Sequence, residues 1–149
     1  MTQDLVGNRQ ARHHYEILDT YEAGVMLLGT EVKSLRTHHG SLGEAYVVPE
    51  MDHLVLVNAH IPPYSHGNRF NHEERRPRKL LMHRKEIRKL RQQVAEKGLT
   101  LIPLGFYLKK GIIKLRLGLA RGKKSYDKRE AIKERQDKLA MQRAMKEHS

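Results

Sequence analysis

Apolar residues along this chain change their period several times, and each change marks an element. In HHYEILDTYEAGVML, Tyr15, Ile17 and Tyr21 fall near a period of two, which predicts a strand. Gly24 and Gly29 then punctuate a short apolar run from Val25 to Leu28. GTEVKSLRTHHG predicts a brief helix: Thr30 is the expected N-cap, Val32 and Leu35 share one face, and Gly40 follows its end. A hairpin comes next, with strands at 45–48 and 53–61 around the turn Pro49-Glu50-Met51-Asp52. Leu54, Leu56 and Asn58 fall on one face of the second strand and Val55, Val57 and Ala59 on the other. A strand apolar on both faces predicts a barrel wall with a helix packed outside it.

Residues 62–78, PPYSHGNRFNHEERRPR, have no period, and segments this long inside a domain are usually functional or disordered. In MHRKEIRKLRQQVAEKG, Ile87, Leu90 and Val94 repeat at i, i+3 and i+7, and Gly98 supplies a stop. The opposite face carries Arg84, Lys85, Arg88, Lys89 and Arg91, so the helix is basic and amphipathic. Finally Ile113, Leu115, Leu117 and Leu119 alternate with Lys114, Arg116, Gly118 and Ala120, after a turn at Lys109-Lys110-Gly111. Five or six strands with two inserted helices predict a mainly β fold, an OB-type antiparallel barrel with flanking helices. The expected organisation is a loosely held basic N-terminus (1–12), the barrel (13–122) and a basic tail (123–149).

Charge narrows the partners. Lys and Arg number 29 against 17 Asp and Glu, a net charge of +12, which calls for a polyanion such as RNA, DNA or an anionic membrane. The absence of cysteine excludes disulfides, thiolate nucleophiles and Cys-based zinc sites. No apolar run approaches the ~20 residues of a membrane span, and the first residues show no signal-peptide stretch, so a soluble, cytoplasmic protein is expected. The ten histidines do not converge: His13 and His14 are adjacent, His38 and His39 end a helix, and His66 and His72 sit in a loop. No metal and no cofactor are expected. Glu22, Glu31 and Glu44 are the carboxylates available for metal-assisted phosphodiester cleavage, but nothing in the sequence fixes their spacing. GTEVKS lacks the spacing of a phosphate loop. The chain therefore reads as a non-enzyme.

Basic residues recur beside aromatics: Arg9, Arg12, His13 and His14; Lys33 and Arg36; then Arg69, Arg75, Arg76, Arg78, Lys79, Arg84 and Lys85, with Tyr15, Tyr21, Tyr64 and Phe70 among them. Guanidinium groups hold phosphates and rings stack on unpaired bases. Tyr15 and Tyr21 serve equally well as core residues of a strand. From Arg121 onward the chain carries ten Lys or Arg against five Asp or Glu, and its apolar residues form no continuous stripe. Such a tail is expected to be disordered when free and helical against a polyanionic groove. Tyr126, set between lysines, is placed to stack on a base.

NRQARHHYEI, YEAGVMLLGTEVKSLR, NAHIPPY, RPRKLL, KGLTLIPL and LGLARGKKSYDKRE together resemble the SsrA-binding protein (small protein B) family, from Asn8 to about Glu134. The resemblance implies a non-enzymatic protein that binds the tRNA-like domain of transfer-messenger RNA. It also implies delivery of that RNA to stalled ribosomes for trans-translation, the rescue pathway that tags the unfinished peptide. The tail would enter the small-subunit decoding centre and the mRNA channel. Glu22 matches an acidic position associated with RNA binding, and Leu81 and His83 match a second patch. Gly122, Lys123, Lys124, Tyr126, Asp127, Lys128 and Arg129 match the hinge and decoding-centre motif. Asn8, Arg12, Lys33, Arg36, Arg69, Arg78 and Lys79 complete the expected RNA-binding set. A monomer is expected. The competing reading is a general OB-type protein for structured RNA, or a ribosomal protein.

Overall fold

The computed structural model describes residues 2–64 and 71–123. In chain order the elements are β1 (Thr2–Gly7), α1 (Arg9–His14), β2 (Tyr15–Val25), α2 (Gly29–Arg36), β3 (Tyr46–Pro49), β4 (Leu54–Val57), β5 (Arg78–Leu81), α3 (Arg84–Lys97), β6 (Thr100–Lys109) and β7 (Ile112–Gly122). All strand pairings are antiparallel. The order is β1-β6-β3-β4-β5-β2-β7, and β6 pairs with β7 as well. That last pairing closes β6-β3-β4-β5-β2-β7 into a ring, a mainly β barrel of OB type, with β1 added along the free half of β6. Closure removes the open edges that a flat sheet of these strands would expose.

The alternation read from the sequence fills the interior. Leu115 and Leu117 from β7, Leu54 and Leu56 from β4, and Leu80 from β5 are all fully buried with Phe106. On α3, Ile87 and Leu90 are buried as the i, i+3 spacing requires, and Val94 packs against the same core. Gly98 closes that helix in the left-handed conformation (φ 63°). Lys110 (φ 51°) and Gly111 (φ 79°) form the two-residue β6–β7 turn, whose twist suits a tight hairpin.

Three expectations need correction. The first residues are not loose: β1 pairs with β6 from Thr2↔Lys109 to Gly7↔Gly105, and Leu5 and Val6 are buried. Two apolar residues sufficed to dock that strand, because β6 offered an unpaired edge. Thr30 is not the cap of α2. Leu28 is, and the Glu31 carboxylate accepts from its backbone N–H at 2.8 Å. The second hairpin strand stops at Val57, because Asn58 takes φ 64°, outside the β region. Gly122 pairs with Tyr15 at the end of β7, where the barrel stops.

Candidate nucleic-acid interface

β2 alternates Glu22 and Gly24 outward with Ala23 buried between them. Its neighbours extend that outer face. Gly24 lies opposite Leu81 of β5 on one side and Lys114 of β7 on the other; Lys114 in turn lies opposite Tyr107 of β6. Glu22 lies opposite Arg116. One row across the wall thus reads Leu81, Gly24, Lys114, Tyr107, with Glu22 and Arg116 beside it. β5 runs antiparallel to β2 and leads on toward His83, which is exposed and caps α3. The two patches implied by the resemblance, Glu22 and the Leu81–His83 pair, are therefore parts of one surface.

Glu22 organises cations. Its carboxylate lies 3.1 Å from the Lys109 ammonium and 3.9 Å from that of Lys114. A hydrogen bond from the Tyr107 hydroxyl, then that from Lys109, hold its pKa below the ordinary carboxylate value. Burial and the hydrogen bond to Glu22 push the Tyr107 phenol up in turn. The Arg116 guanidinium sits 4.7 Å from the centroid of the Tyr107 ring and 3.9 Å from Asp4. The result is an acid and a ring that fix the directions of three cations on an exposed face, a geometry suited to phosphates.

Arg78 requires a correction. It is fully buried: Nε donates to Glu31 at 2.6 Å, Nη1 to the Ala59 carbonyl at 2.8 Å and Nη2 to the Glu74 carbonyl at 3.1 Å. Its donors are spent inside the fold, so it is no phosphate ligand. Arg76 is held in the same way, donating to Glu31 and to the Met26 carbonyl. Burial opposes ionisation of Glu31, but the hydrogen bonds from Arg76, the Leu28 N–H and Arg78 outweigh it and hold the carboxyl below its ordinary pKa. Glu31 is thus the buried tie between α2 and β5, not a catalytic carboxylate. The sequence signal for it was the capping position of Glu31, three residues after Leu28.

Other expected residues take distinct places. Asn8 donates to the carbonyls of Pro103 (2.8 Å) and Leu42 (3.2 Å), which makes it a brace between α1 and the barrel. Lys79 is exposed beside Leu81 on β5. Lys33 and Arg36 are exposed on α2, and the Lys33 ammonium lies 5.7 Å from the Tyr64 ring centroid. Tyr64 and Asn71 exchange two 2.8 Å hydrogen bonds, which hold these two residues side by side. Arg12 and Lys123 line an open groove of about 480 Å³ with Tyr15, Glu16 and Ile17, where β7 leaves the barrel. At a rise of about 3.3 Å per residue, the groove's β2 residues lie roughly 17–23 Å along the strand from Glu22. Arg69, Phe70, Lys124, Tyr126, Asp127, Lys128 and Arg129 lie outside the described residues. Among the described residues no group of His, Asp and Glu is placed to hold a metal ion, and no helix is long and apolar enough to cross a membrane.

Comparison with known proteins agrees with this geometry. The family model described as SmpB protein matches residues 5–147. The SsrA-binding protein of Chlamydia caviae is 54% identical over 147 residues, covering 99% of this chain and 98% of its own. That of Microcystis aeruginosa is 57% identical over 143 residues, covering 95% and 93%. A solved structure described as "tmRNA-SmpB: a journey to the center of the bacterial ribosome" superimposes with a TM-score of 0.69 at 49% identity, over 85% of this chain and 92% of that one. A closed barrel, a cation-bearing face set in order by one glutamate, and identity near 54% along nearly the whole length lead to one conclusion: this chain belongs to the SmpB family of SsrA-binding proteins.

Proposed function

We propose that this protein is an adaptor that binds the tRNA-like domain of transfer-messenger RNA and delivers it to stalled ribosomes for trans-translation. The observation that carries the reading is the ordered face of Glu22, Lys109, Lys114, Arg116, Leu81 and His83, found in a chain of the SmpB family. That face grips the RNA through phosphates and base edges. It acts by binding alone, as a monomer in the cytoplasm, and no step calls for a metal or cofactor. The tail from Lys123 onward, with Lys124, Tyr126, Asp127, Lys128 and Arg129, reaches the decoding centre and the vacant mRNA channel. There the phosphates of ribosomal RNA compensate its charge as it folds. Lys123 leaves the barrel beside Arg12, so the tail begins at the end of β2 remote from Glu22.

Ending the chain after Lys124 tests this division. The truncated protein is expected to keep its affinity for transfer-messenger RNA within about threefold and to lose peptide tagging on stalled ribosomes. Tagging at the full rate would refute the role given to the tail.

A further inference from the structure

Just past the end of β2, and beside it on β5, the outer face of the wall carries two exposed apolar side chains. Outward positions continue from Glu22 and Gly24 to Met26, whose N–H donates to the Lys79 carbonyl at 2.9 Å and so carries the register one step past the last β2–β5 pair. Met26 is 53% exposed, and Leu81, opposite Gly24, is 48% exposed. Single exposed apolar residues are ordinary. Two of them on adjacent strands, diagonal neighbours within reach of each other, make a patch. Gly24 flattens it. A Cβ there would stand 3.4 Å from the Leu81 Cβ, an ordinary contact, and Gly24 does not take a positive φ. The backbone does not demand glycine; its effect is a bare stretch of surface between two thioether and aliphatic walls.

The rim of this patch is cationic. Lys79 stands opposite Met26, and Lys114 stands opposite Gly24 on the other side. Arg76 donates to the Met26 carbonyl at 3.2 Å, fixing the chain where β2 runs out toward α2. A flat apolar floor framed by ammonium groups matches a nucleobase with phosphates on either side, since thioethers and aliphatic chains contact aromatic faces well. We propose that Met26, Gly24 and Leu81 form a platform for an exposed nucleobase face of the bound RNA. The proposal rests on the reading of this chain as a binder of tRNA-like RNA and extends the Leu81 contact of that reading to Gly24 and Met26.

The test separates stacking from charge. The full chain is titrated into fluorescein-labelled tRNA-like domain of transfer-messenger RNA at several KCl concentrations, with an unrelated hairpin RNA in parallel. Met26→Ser is expected to weaken binding of the tRNA-like domain about tenfold at every salt concentration without altering the slope of log Kd against log salt. Lys79→Gln is expected to reduce that slope by about 0.7–0.9, one phosphate contact. Met26→Leu, which keeps an apolar wall, stays within about twofold of the parent. Because Met26 is more than half exposed, thermal melts of the three variants should coincide with the parent. Unchanged affinity for Met26→Ser would overturn the platform, as would a deficit that vanishes at high salt. So would a Met26→Ser change seen only in sedimentation of the free protein, which would make this face a contact between copies. Equal affinity of the parent for the hairpin would instead refute the functional reading, and the platform would still stand if Met26→Ser weakened both RNAs.

Discussion

Glu31 and Glu22 are both glutamates with a depressed pKa, yet they do opposite work. Glu31 is fully buried between Arg76 and Arg78. Removing its charge leaves two guanidinium groups without their counter-ion, so Glu31→Gln should cost about 3–5 kcal/mol. Its pKa lies below the ordinary 4.5. Below that value the unfolded chain takes up a proton more readily than the folded one. The stabilisation from Glu31 is therefore complete above the ordinary value and drains away as pH falls through the folded one. Urea midpoints between pH 3 and 7 should fall with acid in the parent more steeply than in Glu31→Gln. Glu22 is exposed and holds Lys109 and Lys114 in place. Glu22→Ala should leave the urea midpoint nearly unchanged and weaken RNA binding by about 1.5–3 kcal/mol, the worth of a charge-assisted hydrogen bond. Filter binding reads the effect. From sequence these two residues look alike, as does Arg78 beside Lys79. What separates them is position on a strand: Arg78 shares the inward register with Leu80, and Lys79 the outward one with Leu81. A four-residue strand gives too little alternation to reveal this unaided.

At the scale of elements, the long periodic segments were legible and the short ones were not. Helix α3 was readable because three apolar residues and a terminal glycine all agree, and β7 because its alternation runs over eight residues. Leu90, fully buried on α3, should cost about 2–5 kcal/mol when cut to alanine, measured as a shift of the urea midpoint without a change in slope. β1 was illegible. Its apolar residues, Leu5 and Val6, are adjacent, and it exists only because β6 bends across two partners, β3 near Leu101 and β1 beyond Gly105. At Gly105 a Cβ would approach the Val6 carbonyl to 2.9 Å. Gly105→Val should therefore strip β1 from the barrel, and amide exchange of residues 2–7 should accelerate well beyond that of β7.

For the whole molecule, the barrel converts a diffuse charge of +12 into directed surfaces. Closing the ring brings Leu81, Gly24, Lys114 and Tyr107, from four strands spread over residues 24–114, into one row. Composition announced a polyanionic partner, and the resemblance named Glu22, Leu81 and His83. Neither could show that these lie on one continuous face with Tyr107 and Met26, since that depends on strand order. The most direct measurement of the central claim is competition at matched salt. The tRNA-like domain of transfer-messenger RNA is set against a structured RNA of equal length for the full chain and for Glu22→Ala. The account predicts a preference of at least tenfold for the tRNA-like domain in the parent, lost largely in Glu22→Ala. Equal affinities in the parent, or a preference untouched by Glu22→Ala, would contradict it.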